Sequence, residues 1–230
     1  MTTSDYSLEI SNLTAKYDSL DLNIPKMTFE KNKIYGLIGP NGCGKTTTLK
    51  FISGITTPTT GGIYFNQMTE KDMTMVFRTP YLINDTVYKN LIYPLKLRNI
   101  KLDKEKTDFY LELAGLSHLH KKNALSLSGG QRQKLALVRA LIFSPKAILL
   151  DESFSNMDME SVAFFEEYIL KSQKEQPRIW IIISHQMSSI KRLCDIVHFM
   201  NIGKLEETGT VSEIFENPKC ESLKKYLQYV

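Results

Sequence analysis

Cysteine is scarce. Cys43, Cys194 and Cys220 are odd in number and lack metal-ligand spacing, which excludes a disulfide framework and a cysteine-held metal. Long hydrophobic runs are missing too: the most apolar stretch, Ile179-Trp180-Ile181-Ile182-Ile183, is strand-sized, whereas a bilayer-crossing helix needs about 20 residues. The opening Met1-Thr2-Thr3-Ser4-Asp5 has no basic segment leading into an apolar one, so no secretory signal is expected and the chain reads as cytosolic. A net charge of +4 is too weak to argue for a nucleic-acid partner. What remains, at 230 residues with 42% hydrophobic and 23% charged, is the composition of one compact unit with room for a full core and for an inserted subdomain.

The most informative stretch is Gly39-Pro40-Asn41-Gly42-Cys43-Gly44-Lys45-Thr46-Thr47, placed between the apolar run Ile34-Tyr35-Gly36-Leu37-Ile38 and a segment with Leu49, Ile52 and Ile55 at helical spacing. A helix start leaves backbone N–H groups unpaired and carries roughly half a positive charge, so strand, glycine loop and helix together form an anion cradle. Lys45 adds a point charge for β and γ phosphates, and the Thr46 hydroxyl can ligate Mg²⁺. The spacing fits G-x-x-x-x-G-K-[ST]. It does not fit the dinucleotide fingerprint, because Thr47 stands where that pattern needs its last glycine. A nucleoside triphosphate is therefore favoured over NAD, although the loop alone suits a kinase, a GTPase or a motor. Cys43, at a phosphate-binding helix start, is expected either to ionise more easily than usual or simply to be a small side chain tolerated there.

Ahead of the loop, Leu8, Ile10 and Leu13, then Leu20, Leu22 and Ile24, then Met27 and Phe29 alternate as strands of an antiparallel sheet. Tyr17 falls among them, either to stack on an adenine ring or as a half-buried strand residue. Short strands follow at residues 63–65 and 74–77. From 84 to 123 the pattern turns helical, with Val87, Leu91, Leu95, Phe109, Leu111, Leu113 and Leu116, and its many lysines suit a solvated face. Ser128 is placed as N-cap of a further helix behind Gly129-Gly130-Gln131, which reads as a second anion-binding helix start or a plain turn. Pro145-Lys146-Ala147-Ile148-Leu149-Leu150-Asp151-Glu152 is an apolar strand ending in two carboxylates. In open α/β sheets ligands bind at such carboxyl ends. Strand 179–183 ends similarly at Ser184-His185. Strands near 196–199 and 204–207 and short helices near 211–216 and 220–228 complete the chain. His118, His120 and His198 carry no motif.

In this order the elements resemble the nucleotide-binding subunit of ATP-binding cassette (ABC) transporters over nearly the whole chain. Residues 39–46 are similar to the Walker A loop, Leu127-Ser128-Gly129-Gly130-Gln131 to the signature motif, residues 148–151 to Walker B with Glu152 following, Ser155-Asn156-Met157-Asp158 to the D-loop and His185 to the switch histidine. The signature, followed by the basic residues Arg132, Lys134 and Arg139, is the most specific of these.

The resemblance implies an α/β fold: a P-loop NTPase (RecA-like) core with an antiparallel β subdomain and an inserted α-helical subdomain. One ABC ATPase domain would span 1–230, with the core at 1–80 and 141–230 and the helical part at 81–140. ATP and Mg²⁺ are the implied cofactors. Tyr17 would stack on adenine; Gly39, Asn41, Gly42, Cys43, Gly44, Lys45, Thr46 and Thr47 would hold the triphosphate, and Thr46 and Asp151 the metal. Glu152 would polarise the attacking water, with His185 and Lys45 on the γ-phosphate. Ser128, Gly130 and Gln131 would cap the γ-phosphate of a second ABC ATPase subunit, in a head-to-tail homodimer or heterodimer.

Lacking a membrane span, such a subunit would work peripherally, on the cytoplasmic face of the membrane, with separate transmembrane permease subunits and no nucleic acid. Tyr81-Leu82-Ile83 and the helix bearing Tyr88, Leu91 and Tyr93 would form the contact. Residues 203–218 resemble small-solute uptake subunits, and residues 90–98 resemble metal-oxyanion uptake ATPases, which favours import. An ABC exporter ATPase, or a non-transport ABC ATPase acting on ribosomes or nucleic acid, is the alternative.

Two residues depart from the family pattern. Arg78 replaces the usual glutamine after Val-Phe, and Ser153 the usual proline after Glu152. Arginine cannot ligate Mg²⁺, and like charges about 5 Å apart repel by about 3 kcal/mol at an effective dielectric near 20. The Arg78 head is therefore expected to point away from the metal or toward a phosphate, with hydrolysis slower or partner-dependent and binding retained.

Overall fold

The computed structural model describes residues 5–17 and 20–230; the side chain of Tyr17 lies outside the described residues. The chain divides into two compact units: Met1–Met75 with Lys146–Asp151 and Glu166–Val230, and Val76–Pro145 with Glu152–Phe165.

The first unit is built on a sheet. Its antiparallel part pairs β1 (Ser7–Tyr17) with β2 (Leu20–Glu30) and with β4 (Thr60–Asn66). In place of the three short alternations legible in the sequence there are two long strands. Leu8, Ile10, Leu13 and Ala15 face the core opposite Phe29, Met27, Ile24 and Leu22. The alternation slips by one residue in both strands at opposed places, between Ser11↔Lys26 and Leu13↔Ile24. Asn12 adopts φ +48 at the slip, and pairing with β4 shifts register between Ser11 and Thr14. Gly61 closes the bulge, where a Cβ would lie 2.2–2.5 Å from backbone, 2.2 Å from the Asn12 carbonyl oxygen in particular. A bulge keeps the apolar set on one face while the strand continues, so each slip looks from sequence like a strand end.

The other part of the sheet contains β3 (Lys33–Ile38), β5 (Met73–Val76), β6 (Ala147–Asp151), β7 (Ile179–Ile183), β8 (Ile196–Asn201) and β9 (Lys204–Thr210), giving the order β4-β1-β2-β9-β8-β3-β7-β6-β5. β3 runs parallel to β7 and β8, and β6 parallel to β7. Every residue of β6 and β7 is buried, as parallel strands covered on both faces must be. Trp180 satisfies its indole N–H on Gln173 Oε1 at 3.2 Å.

Among the helices, α1 (Lys45–Ile52) belongs to the first unit and ends at Ser53, so Ile55, expected in its stripe, lies beyond it and is exposed. Helices α2 (Val87–Leu97), α3 (Lys104–Leu113) and α4 (Gly129–Leu141) pack together in the second unit through Val87, Leu91, Leu95, Leu111, Leu135 and Val138. Phe109 is not in that core. It is half-exposed, and the neighbouring Tyr110 takes the buried place. Helix α5 (Met159–Glu175) begins in the second unit and ends in the first, which also holds α6 (Met187–Leu193), α7 (Val211–Glu216) and α8 (Glu221–Leu227).

His198, without a role in the sequence, is a core residue. It stacks on Tyr35 at 5.6 Å between ring centroids, meets Phe29 edge-on, and shares a 2.9 Å hydrogen bond between Nδ1 and Thr208 Oγ1. Burial lowers its pKa to about 4. A base harder to protonate folded than unfolded supports stability above its unfolded pKa, near 6.5, and loses that support as pH falls through the folded value. Denaturant titrations at pH 7.5 and pH 5 are expected to show a loss of about 2 kcal/mol from this group. His198→Asn should flatten the difference; an equally steep loss in that variant would contradict the assignment.

Candidate active site

Strand β3 delivers the chain to a loop that only glycine can follow at its first step. Gly39 adopts φ +145, and a Cβ there would lie 2.0 Å from the Met200 carbonyl oxygen on β8. Gly42 and Gly44 are also left-handed, at φ +79 and +105, and a Cβ on Gly42 would meet nothing within 4 Å. The loop therefore presses on the sheet at one end and opens at its turn, where Asn41 is exposed. Lys45 opens α1 with its ammonium turned back into the loop, donating to the carbonyls of Gly39 at 2.7 Å and Pro40 at 2.9 Å. Thr48 anchors the helix by donating to the Gly44 carbonyl at 2.9 Å.

Thr46 Oγ1 donates to Asp151 Oδ1 at 2.9 Å, joining the helix start to the end of β6. Hydroxyl and carboxylate, 105 residues apart in the chain, thus meet beside the glycine loop. This donor set fits Mg²⁺, which takes one or two protein oxygens and completes its shell with phosphate and water; the open, left-handed backbone fits a phosphate chain. Thr47 is half-buried next to Thr46. Cys43 does not ionise easily: it is buried, and burial pushes its thiol pKa up while Lys45 opposes the shift. Desolvation outweighs the helix start, so the small-side-chain reading holds. His185 is exposed just past the end of β7, behind Ser184, whose Oγ accepts the Gln186 N–H at 3.1 Å. Tyr17 ends β1, and its side chain lies outside the described residues.

In the second unit Ser128 caps α4. Its Oγ accepts the Gln131 N–H at 3.3 Å, and Gln131 Oε1 accepts the Ser128 N–H at 3.1 Å, a reciprocal capping box. Gly130 lets the helix start sit close to the Asn156 carbonyl oxygen, from which a Cβ would stand only 3.2 Å. Arg132 folds back, its guanidinium donating to the carbonyls of Leu125 and Leu127. Glu152, immediately after Asp151 in the chain, adopts φ +49, and its Oε2 lies 3.1 Å from Arg78 Nη1. That partner was not legible in the sequence.

Three hydrogen bonds hold the backbone around Arg78. Ser153 Oγ donates to the Val76 carbonyl at 2.9 Å, Gln133 Nε2 to that of Phe77 at 3.2 Å and Asn156 Nδ2 to that of Arg78 at 3.4 Å. Both departures from the family pattern, Arg78 and Ser153, take part in this one cluster. Asp158 begins α5 by accepting the Ser161 N–H and hydroxyl, which hold its carboxyl below the usual range.

Sequence reading missed Asn90. It is fully buried, and its amide donates to the carbonyls of Ile83, Asp85 and Thr86 while its Oδ1 accepts the Ile83 N–H at 2.9 Å. Arg139 Nη2 ties the same segment through the Tyr81 carbonyl at 2.7 Å. The available signal was a polar residue beside Val87 and Leu91 on an apolar stripe. Asn90→Ala is expected to cost about 2–3 kcal/mol, because it leaves buried backbone groups unpaired. Hydrogen exchange at the Ile83 amide should rise; unchanged stability and exchange would contradict the clamp.

Comparison with known proteins places these features in a family. The ABC transporter family model matches residues 22–155. The chain is 38% identical over 208 residues to a tungstate uptake system ATP-binding protein of Peptoclostridium acidaminophilum, covering 87% of this chain and 97% of that one. It is 32% identical over 243 residues to a methionine import ATP-binding protein of Bacillus cereus, covering 96% of this chain and 69% of that one. Among solved structures, the ATP-binding subunit of an ABC transporter superimposes with a TM-score of 0.82 at 22% identity, over 96% of this chain and 99% of that one. A bacterial Atm1-family ABC exporter with ATP bound gives a TM-score of 0.83 at 21% identity, over 100% of this chain and 43% of that one, so the fold alone is common to both. With a strand, a glycine loop and a paired threonine and aspartate in the places described, the chain belongs to the ABC transporter family, as one of its ATP-binding subunits with ATPase activity.

Proposed function

We propose that this chain powers the uptake of a small solute. It binds ATP with Mg²⁺, pairs head to tail with a second ABC ATPase subunit, as a homodimer or a heterodimer, and drives separate transmembrane permease subunits from the cytoplasmic face of the membrane. Residues 1–230 act as one ATPase domain, with the core at 1–80 and 141–230 and a helical subdomain at 81–140. Import is supported by the tungstate uptake and methionine import relatives, the first aligned along nearly its whole length. No described helix is long and apolar enough to cross a membrane, which fits a division of labour with other subunits.

The observation that carries the reading is the Thr46–Asp151 hydrogen bond beside the left-handed glycine loop. In this proposal the backbone of Gly39, Asn41, Gly42, Cys43, Gly44 and Thr47 surrounds the triphosphate, Lys45 turns from its own loop carbonyls to the phosphates, and Tyr17 stacks on the adenine. Thr46 and Asp151 hold Mg²⁺, which when bound offsets charge on the phosphate oxygens. Glu152 accepts a proton from the attacking water and His185 contacts the γ-phosphate. Ser128, Gly130 and Gln131 receive the γ-phosphate of the other copy. Ser128 is exposed, and its oxygen serves the cap as an acceptor, so the hydroxyl proton can be donated outward.

Glu152→Gln is expected to slow turnover about 100-fold or more while ATP still binds. On size exclusion with ATP the variant should then elute as a dimer. Normal hydrolysis by a monomeric variant would remove Glu152 from this role.

A further inference from the structure

The glutamate proposed as water base already has a charged partner. Arg78 Nη1 lies 3.1 Å from Glu152 Oε2, with the carboxylate side chain 14% exposed and the guanidinium side chain 64% exposed. The pair is asymmetric: the acid is held in the protein, whereas the arginine head lies mostly in solvent. Glu152 is further fixed by its φ of +49, and Ser155 N–H donates to its carbonyl at 3.2 Å.

The backbone beneath Arg78 is held as firmly. The carbonyls of Val76, Phe77 and Arg78 are taken in turn by Ser153, Gln133 and Asn156. Ser153 and Gln133 are buried, so two of these ties are sheltered from water. Main chain is fastened at both ends of the ion pair. What can move is the solvent-exposed arginine side chain, which puts two states within reach of one residue: guanidinium on the carboxylate, or guanidinium released to water or to another anion.

We infer that Arg78 is a built-in brake on hydrolysis, a positioning residue whose guanidinium occupies the Glu152 carboxylate and keeps it from orienting water until the pair opens. The inference rests on Glu152 acting as the water base. The guanidinium holds one of the two carboxylate oxygens and, with it, the orientation of the carboxylate, so a water presented at Oε2 must displace that contact before it is polarised there. The groups proposed to bind ATP include neither Arg78 nor Glu152, so the brake acts on turnover and leaves affinity alone. A glutamine at position 78 carries no charge and cannot form it.

The test uses the whole chain of 230 residues and titrates ATP at excess Mg²⁺, measuring kcat and KM for the wild type, Arg78→Gln, Arg78→Lys and Glu152→Gln. Removing the brake in Arg78→Gln should raise kcat about fivefold, the equivalent of the ~1 kcal/mol of a part-exposed ion pair, with KM changed less than twofold. Arg78→Lys keeps the charge and should stay near the wild-type rate. Salt supplies an independent arm: between 20 mM and 500 mM KCl the wild-type kcat should rise toward that of Arg78→Gln, while the variant stays flat. If folded Arg78→Gln, with an unchanged melting temperature, turns over at or below the wild-type rate, the brake is overturned. If Glu152→Gln hydrolyses ATP normally, the failure lies in the underlying assignment of the base. Should Arg78→Gln fold poorly, the salt response of the wild type decides alone, and a flat or falling kcat overturns the proposal.

Discussion

The first unit depends on the parallel alignment of β3, β7 and β6. Gly36 and Leu150 both register with Ile182, so the three strands stop at nearly the same level. Their carboxyl ends then present the glycine loop, Asp151 and Ser184-His185 at one edge of one sheet. The 2.9 Å bond from Thr46 to Asp151 exists because of that register. Slipping β6 by one residue would turn Asp151 to the opposite face and replace it with an isoleucine-rich strand's neighbour, Leu150 or Glu152. Close packing enforces the alignment. A Cβ at Gly36 would already stand 3.1 Å from Ile190 and 3.2 Å from Cys194 Sγ, and at Gly39 it would strike the Met200 carbonyl.

Chemistry is divided between the two units in a way that suits a conditional enzyme. The first holds the groups that fit phosphate and metal: left-handed glycines, an ammonium satisfied by its own loop, a hydroxyl and one carboxylate. The second holds Glu152, the capped helix start at Ser128 and the cluster around Arg78. A non-glycine residue at φ +49 costs on the order of 1 kcal/mol, and it persists where surrounding bonds over-determine it. Here those bonds include the Ser155 N–H on the Glu152 carbonyl and the Ser153 hydroxyl on Val76. Strain and ion pairing both fall on the residue proposed to accept a proton. The groups proposed to hold the nucleotide are in the other unit.

Much of the fold was legible because its signals are local. Apolar runs of five residues marked β6 and β7, and the Gly39 to Thr46 spacing marked the loop. Ser128 followed by Gln131 marked a helix start that the structure shows as a capping box. What escaped was nonlocal. The slips of alternation in β1 and β2 look like strand ends, Phe109 is half-exposed although the helical stripe includes it, and at Cys43 burial decides between the two readings the sequence left open. At the candidate site, Arg78 stood out as an unusual residue, but its partner lies 74 positions later, and no spacing rule connects them. Ser153 departs from the family pattern with no local signal for its role, which is a hydroxyl donating to the Val76 carbonyl. Asn90 was hidden in an apolar stripe because side-chain hydrogen bonds to a neighbouring loop leave no periodic trace.

The proposed head-to-tail pairing makes the glycine loop and the Ser128 helix start halves of one site supplied by two subunits. Mixing two inactive variants, Lys45→Ala and Ser128→Arg, tests it most directly. In a head-to-tail pair of unlike variants one site carries both defects and the other carries neither. An equal mixture should therefore recover about a quarter of the wild-type ATPase rate, since about half of the pairs are mixed and each contains one intact site. A mixture no more active than either variant alone would contradict the account.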